Sequence, residues 1–246
     1  MDGTVLGLFL LATFLGGFTS GLTGFAAGLV VSGIWLHIIT PLQTAVLIAA
    51  YGVVNQSYGI WKVRNALQWR RILPFIIGGA VGVPLGAYLV TFLNPAYVRI
   101  GVGVLLILYS TYNLARPTIT AIKSNAATDT GIGVLNGLLG GLTGLGGVIS
   151  TIWVQLGGGP KDAQRAIFQP VLFITMTMAT LTFASAGHLF NADILKLFFM
   201  GLPALLLGLW VGVKLYGRLD DAAFRKAILI LLLISGFSLI VPAFFR

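Results

Sequence analysis

Apolar residues along this chain gather into blocks of about 15 to 22 residues divided by short polar stretches, and a helix needs about 20 such residues to cross the hydrocarbon of a bilayer. Six blocks stand clear, at 42–61, 72–92, 98–115, 166–187, 194–213 and 227–241. Two further apolar stretches, 5–39 and 131–157, are interrupted by clustered glycines. Gly16, Gly17, Gly21, Gly24 and Gly28 interrupt the first, and Gly137, Gly140, Gly141, Gly144, Gly146 and Gly147 the second. The pattern predicts an all-α integral membrane protein of about eight membrane segments.

The two interrupted stretches are related to each other. Gly-Leu-Thr-Gly stands at 21–24 and again at 141–144, an offset of 120 residues. Farther along, Asn65-Ala66 matches Asn191-Ala192, Gly82 and Gly86 match Gly208 and Gly212, and Leu93, Ala96 and Arg99 match Leu219, Ala222 and Arg225, all at an offset of 126. An ordered series of matches, reconciled by an insertion of about six residues, is the mark of an internal duplication. It predicts a first membrane repeat over 1–118, a cytoplasmic linker over 119–130 and a second repeat over 131–246.

Composition agrees with membrane insertion: 57% of residues are hydrophobic, only 9% are charged, and the mean hydropathy is +0.98. The net charge of +9 does not argue for a nucleic-acid partner, because the basic residues are scattered over the loops between apolar blocks and form no continuous patch. The first fifteen residues hold no Lys or Arg, so the positive region of a cleavable signal peptide is missing and this segment is expected to stay. The chain has no cysteine, which removes disulfides and thiolate metal sites.

The basic residues set an orientation. Placing Lys62, Arg64, Arg70 and Arg71 in the cytoplasm leaves Arg99 outside and returns Arg116 and Lys123 to the inside. In the second half the loop matching the first basic cluster holds only Lys196, while the loop matching Arg99 holds Lys214, Arg218, Arg225 and Lys226. The two repeats are therefore expected to lie upside down relative to each other, with both termini outside. Each should begin with a glycine-broken hairpin, re-entrant or made of two short crossings, entering from outside over 5–39 and from inside over 131–157.

A helix broken inside a membrane exposes backbone groups that lipid cannot satisfy, so a break survives only against protein or a wet cavity. Helix amino-termini at a break present free N–H groups and the positive end of a dipole, which favours an anion. The expected substrate-binding residues are Gly21, Thr23, Gly24, Asn55, Gly141, Thr143, Gly144 and Gln169. The two threonines would supply hydroxyls, and Asn55 and Gln169 lie in the first full span after each break. Gln56, Asn136 and Gln155 are further amides at membrane depth, each needing a helix partner or the cavity. Gly82, Gly86, Gly208 and Gly212 read as helix-packing positions. Arg165 reads as a cytoplasmic anchor, with the alternative that it is the nearest candidate for a fixed positive charge just after the second hairpin, and His37 and His188 read as interfacial.

All six acidic residues are aspartates, at positions 2, 129, 162, 193, 220 and 221, which the pattern places in loops or at a terminus. No carboxylate is expected at mid-membrane, which argues against a cation site. No Walker sequence, metal cluster or catalytic set can be assembled, so neither an enzyme nor a bound metal or cofactor is expected.

The paired glycine motifs at 16–28 and 137–147, the proline-led turns at Pro41 to Ala45 and Pro160 to Ala166, and the size of the chain are similar to the sulfite exporter TauE/SafE family of membrane permeases. The resemblance covers nearly the whole chain. It implies about eight segments in two inverted repeats, in the bacterial inner membrane, and a secondary transporter of a small sulfur-containing anion such as sulfite or an organosulfonate. Two opposed hairpins would hold the anion while the halves alternate in access. A passive anion channel and a non-transporting accessory subunit are the alternatives, and the small-residue helix faces would suit a homodimer.

Overall fold

The computed structural model describes residues 2–89, 95–115, 122, 124–143, 146–185, 187 and 191–244, and among the described residues there are ten α-helices and no strand. They are α1 (Gly3–Thr23), α2 (Ala27–Ile38), α3 (Pro41–Val63), α4 (Trp69–Leu89), α5 (Pro95–Ala115), α6 (Ala126–Thr143), α7 (Val148–Leu156), α8 (Lys161–Ser185), α9 (Ala192–Tyr216) and α10 (Asp221–Phe244), with one 3-10 turn at Arg64–Ala66. Each uninterrupted apolar block became one helix. Each glycine-interrupted stretch became a long helix followed by a short one. Among the described residues, α1, α8 and α9 are long and apolar enough to cross a membrane. At about 1.5 Å per residue α2 and α7 are some 18 and 13 Å long, too short to do so.

Polar residues at the ends of the apolar blocks fix where several helices start. Thr40 and Gln43 cap α3 reciprocally, the Thr40 N–H donating to Gln43 Oε1 at 3.0 Å and the Gln43 N–H to Thr40 Oγ1 at 3.2 Å. Asn125 and Thr128 do the same for α6, and Asn191 accepts from the Asp193 N–H at the start of α9. Asp129, expected in a loop, stands in the first turn of α6 instead and is only 3% exposed. Trp153 Nε1 donates to its Oδ1 at 2.8 Å and the Ser124 hydroxyl to its Oδ2 at 3.2 Å, which is how a carboxylate is kept there.

The helices gather into two compact units, one made of 1–62 and 172–218, the other of 63–171 and 219–246. In the first unit α1 and α9 run parallel, backbone against backbone. A methyl group placed on Gly17 or Gly21 would fall on the carbonyl of Leu205 or Leu209, and one on Gly208 or Gly212 on that of Phe14 or Phe18. The short α2 folds back along α1, so that Trp35 stacks on Phe9 with ring centroids 5.3 Å apart. Phe9, Trp35, Val46, Leu47, Tyr51, Ile194, Leu197 and Leu205 fill the core of this unit.

In the second unit α4 and α6 run parallel in the same manner. A methyl group on Gly82 or Gly86 would strike the carbonyl of Val134 or Leu138, and one on Gly137 that of Gly79. Here α5 and α10 pack antiparallel through Gly103 and Gly236. The contact of Gly208 with Phe14 in the first unit thus has a counterpart in that of Gly82 with Val134 in the second. The residues differ by 126 and 120 positions, the two offsets that relate the sequence matches. Gly212 with Phe18 and Gly86 with Leu138 form a second such pair, and Gly17 with Leu205 and Gly137 with Gly79 a third.

Candidate functional site

The first glycine cluster breaks the helix at one place only. Gly24 ends α1 in the left-handed region at φ 85°, a conformation glycine adopts without strain, and Ala26 follows at φ 69° before α2 begins. Gly16, Gly17 and Gly21 remain helical. Gly24 spends its own polar groups locally, since its N–H donates to Ser20 O at 2.7 Å and its carbonyl accepts Gln56 Nε2 at 3.0 Å. The free donors of the break are therefore those of the first turn of α2, which has no side-chain cap. The charge character there is that of an unneutralised helix amino-terminus.

That first turn borders a narrow, partly open cleft within the first unit, with room for about one water molecule, lined by Gly16, Ala27, Gly28, Tyr51, Gly52 and Asn55 among others. Asn55, on α3, is 2% exposed, and neither its Oδ1 nor its Nδ2 has a hydrogen-bond partner among the described residues. Leaving such a group unpaired costs about 1–3 kcal/mol. Tyr51 does not relieve it, because its hydroxyl sits at 2.8 Å from Phe198 O and 3.1 Å from Leu197 O on α9. A buried, idle amide beside uncapped N–H groups is an arrangement suited to a small ligand with oxygen acceptors.

The other expected site residues of the first half are placed differently. Gly21 lies at the crossing with α9, against Leu209 and Gly212. Thr23 is buried, with its hydroxyl 2.8 Å from Thr19 O and 3.2 Å from Phe25 O, so its proton is directed to its own chain. In the second unit Gly141 sits in α6 against Gly86 of α4. Gln169 is buried in α8 just before Pro170. Gly144 and the side chain of Thr143 lie outside the described residues, as do Arg116, Lys123 and His188. Thus the break, its uncapped helix and Asn55 come together, while Gly21 and Gly141 stand at helix crossings.

The second break is built otherwise. Gly147, at φ 98°, precedes α7, and Asn136 reaches over from α6 so that its Oδ1 accepts the N–H of Gly147 at 2.9 Å and of Ser150 at 3.3 Å. This use of Asn136 was not legible from its position in an apolar run; only the return of the chain over α6 reveals it. Arg165 is buried, being 2% exposed on α8. A guanidinium is removed from solvent only among polar partners. Among the described residues no cluster of three His, Cys, Asp or Glu could hold a metal.

Compared with known protein families, residues 9–239 match the model described as sulfite exporter TauE/SafE. The chain belongs to the sulfite exporter TauE/SafE family. Membership makes sulfite exporter-type membrane transport its class of activity, and the apolar helices agree with a membrane permease. Neither the curated proteins nor the solved structures gave a match. As a TauE/SafE protein, the chain has its family match running through both glycine-broken hairpins and through Asn55.

Proposed function

We propose that this TauE/SafE protein is a secondary transporter that carries a small sulfur-containing anion, sulfite or an organosulfonate, across the bacterial inner membrane by alternating access. The observation that carries the reading is Asn55, whose buried amide is unpartnered beside the uncapped first turn of α2. A structure keeps a buried polar group idle at a cost, and occupancy by a ligand with oxygen acceptors removes that cost. The absence of a fixed charge at this position suits a carrier, which must release what it binds.

The eight-segment arrangement of two inverted repeats, with both termini outside, belongs to the same proposal. The basic loops put α1 and α9 in one direction, α4 and α6 in the other, and α5 opposite to α10. The parallel packing of α1 with α9 and of α4 with α6, and the antiparallel packing of α5 with α10, agree with this. So do the glycine contacts that repeat at the offsets of the sequence matches.

Thermal stabilisation of the detergent-purified protein by sulfite, sulfoacetate and taurine, against acetate and chloride at equal ionic strength, tests the reading. A saturable shift with one sulfur oxyanion is expected, followed by counter-exchange of that anion in liposomes. Saturable binding without counter-exchange would instead make the protein a channel, and no shift with any of the three would remove the anion from the proposal.

A further inference from the structure

The two broken hairpins differ at one position that decides whether the short helix is open. Residue 136 of the second half corresponds, at the offset of 120, to residue 16 of the first. Asn136 lays its carboxamide oxygen over the amino-terminus of α7 and takes two N–H groups, those of Gly147 and Ser150. Position 16 is a glycine, and a side chain starting there would meet Val31 of α2, which packs against the bare backbone. Its first carbon would lie 3.7 Å from Ala27 O and 3.9 Å from Ala27 Cβ, at the first residue of α2, and would press on Val31 Cγ1. Gly16 and Ala27 both line the cavity that Asn55 faces.

We infer that the two hairpins have divided their work: the first holds the ligand, and the second is closed by its own side chain. This rests on the anion reading above and narrows it to one site per chain, in the first unit. One oxygen of the oxyanion occupies, over α2, the place that Asn136 Oδ1 occupies over α7. A second oxygen accepts from Asn55 Nδ2. Asn136 is then an internal model of the ligand, because a carboxamide oxygen accepting two helix N–H groups presents the same acceptor as one oxygen of a sulfite or sulfonate. Gly16 is the position at which the first hairpin lacks a side chain of its own to take that place.

The test uses the purified full chain with sodium sulfite as the probe, read by calorimetric titration and by melting temperature. Wild type is expected to bind one sulfite per chain. Asn55→Leu is expected to weaken sulfite binding more than about tenfold while the ligand-free protein melts no lower, since an unpaired amide has been removed from a buried place. Asn136→Ala is expected to lower the melting temperature, because two N–H groups lose their acceptor, and to leave sulfite affinity within about threefold. Gly16→Asn is expected to close the first hairpin and abolish binding; should it not fold, the Asn55 and Asn136 variants decide. Two sulfites per chain, or a loss of affinity in Asn136→Ala equal to that in Asn55→Leu, would overturn the division of work while leaving the anion reading intact. A wild type that binds no sulfite, sulfoacetate or taurine would overturn both.

Discussion

Gln56 donates its side-chain amide to the carbonyl of Gly24, 3.0 Å away, and so ties α3 to the break that separates α1 from α2. Both residues are buried. Gln56→Ala leaves that carbonyl without a partner in a dry place, so unfolding free energy should fall by about 1–3 kcal/mol. Denaturant titration of the detergent-solubilised protein measures it, and a value within error of wild type would mean the bond does not hold the break.

Ala26 occupies the left-handed region at φ 69°, where a Cβ costs about 1–2 kcal/mol, and its counterpart ahead of α7 is Gly147. Ala26→Gly should therefore stabilise the protein by about 1 kcal/mol, the relief of strain being offset in part by the looser unfolded chain. A lower melting temperature would show that the alanine methyl makes packing contacts worth more than its backbone strain.

The glycines at the helix crossings and an unconfined helical glycine should respond oppositely to alanine. Gly208→Ala and Gly82→Ala each drive a methyl into a neighbouring helix carbonyl, which should destabilise by about 1–3 kcal/mol or more. Gly101, on α5, has nothing within 4 Å of where its Cβ would be, and Gly101→Ala should stabilise by up to about 1 kcal/mol through helix propensity. Similar melting temperatures for all three variants would contradict the close approach of α1 to α9 and of α4 to α6.

Because the chain has no cysteine, single cysteines report topology without background. Ala66→Cys and Ala192→Cys, at matching places in the two repeats, should be labelled by a membrane-impermeant maleimide from opposite sides, Ala66 from the cytoplasm. Labelling of both from one side would refute the inverted arrangement.

The sequence yielded the helices because a bilayer-length apolar run has one low-energy backbone solution, and α3, α5, α9 and α10 each contain the corresponding block. It also located both breaks. What it could not apportion was the work within each glycine cluster. Gly21 and Gly24 are three residues apart in one motif, yet Gly21 lies against Leu209 of a helix far along the chain and Gly24 ends the helix by its left-handed backbone. Spacing alone does not separate a small residue needed for packing from one needed for its φ. That Asn55 is an amide at membrane depth was legible from the span after the break; that its side chain would be left without a partner among the described residues was not. The burial of Arg165 was not legible, because its closeness to a loop gives no sign of it.

The pairing of α1 with α9 bears on how the protein is made. α9 begins about 170 residues after α1 ends, which at ribosomal speed is a wait of roughly 8–35 s. During that interval the glycine face of α1, cut to fit another backbone and without side chains of its own, has only lipid or the insertion machinery against it. α6 meets no such delay, since α4 has already been synthesised when it emerges. The amino-terminal hairpin, the first part of the molecule to be made, thus waits for its helix partner longer than α4, α5 or α6 waits for its own.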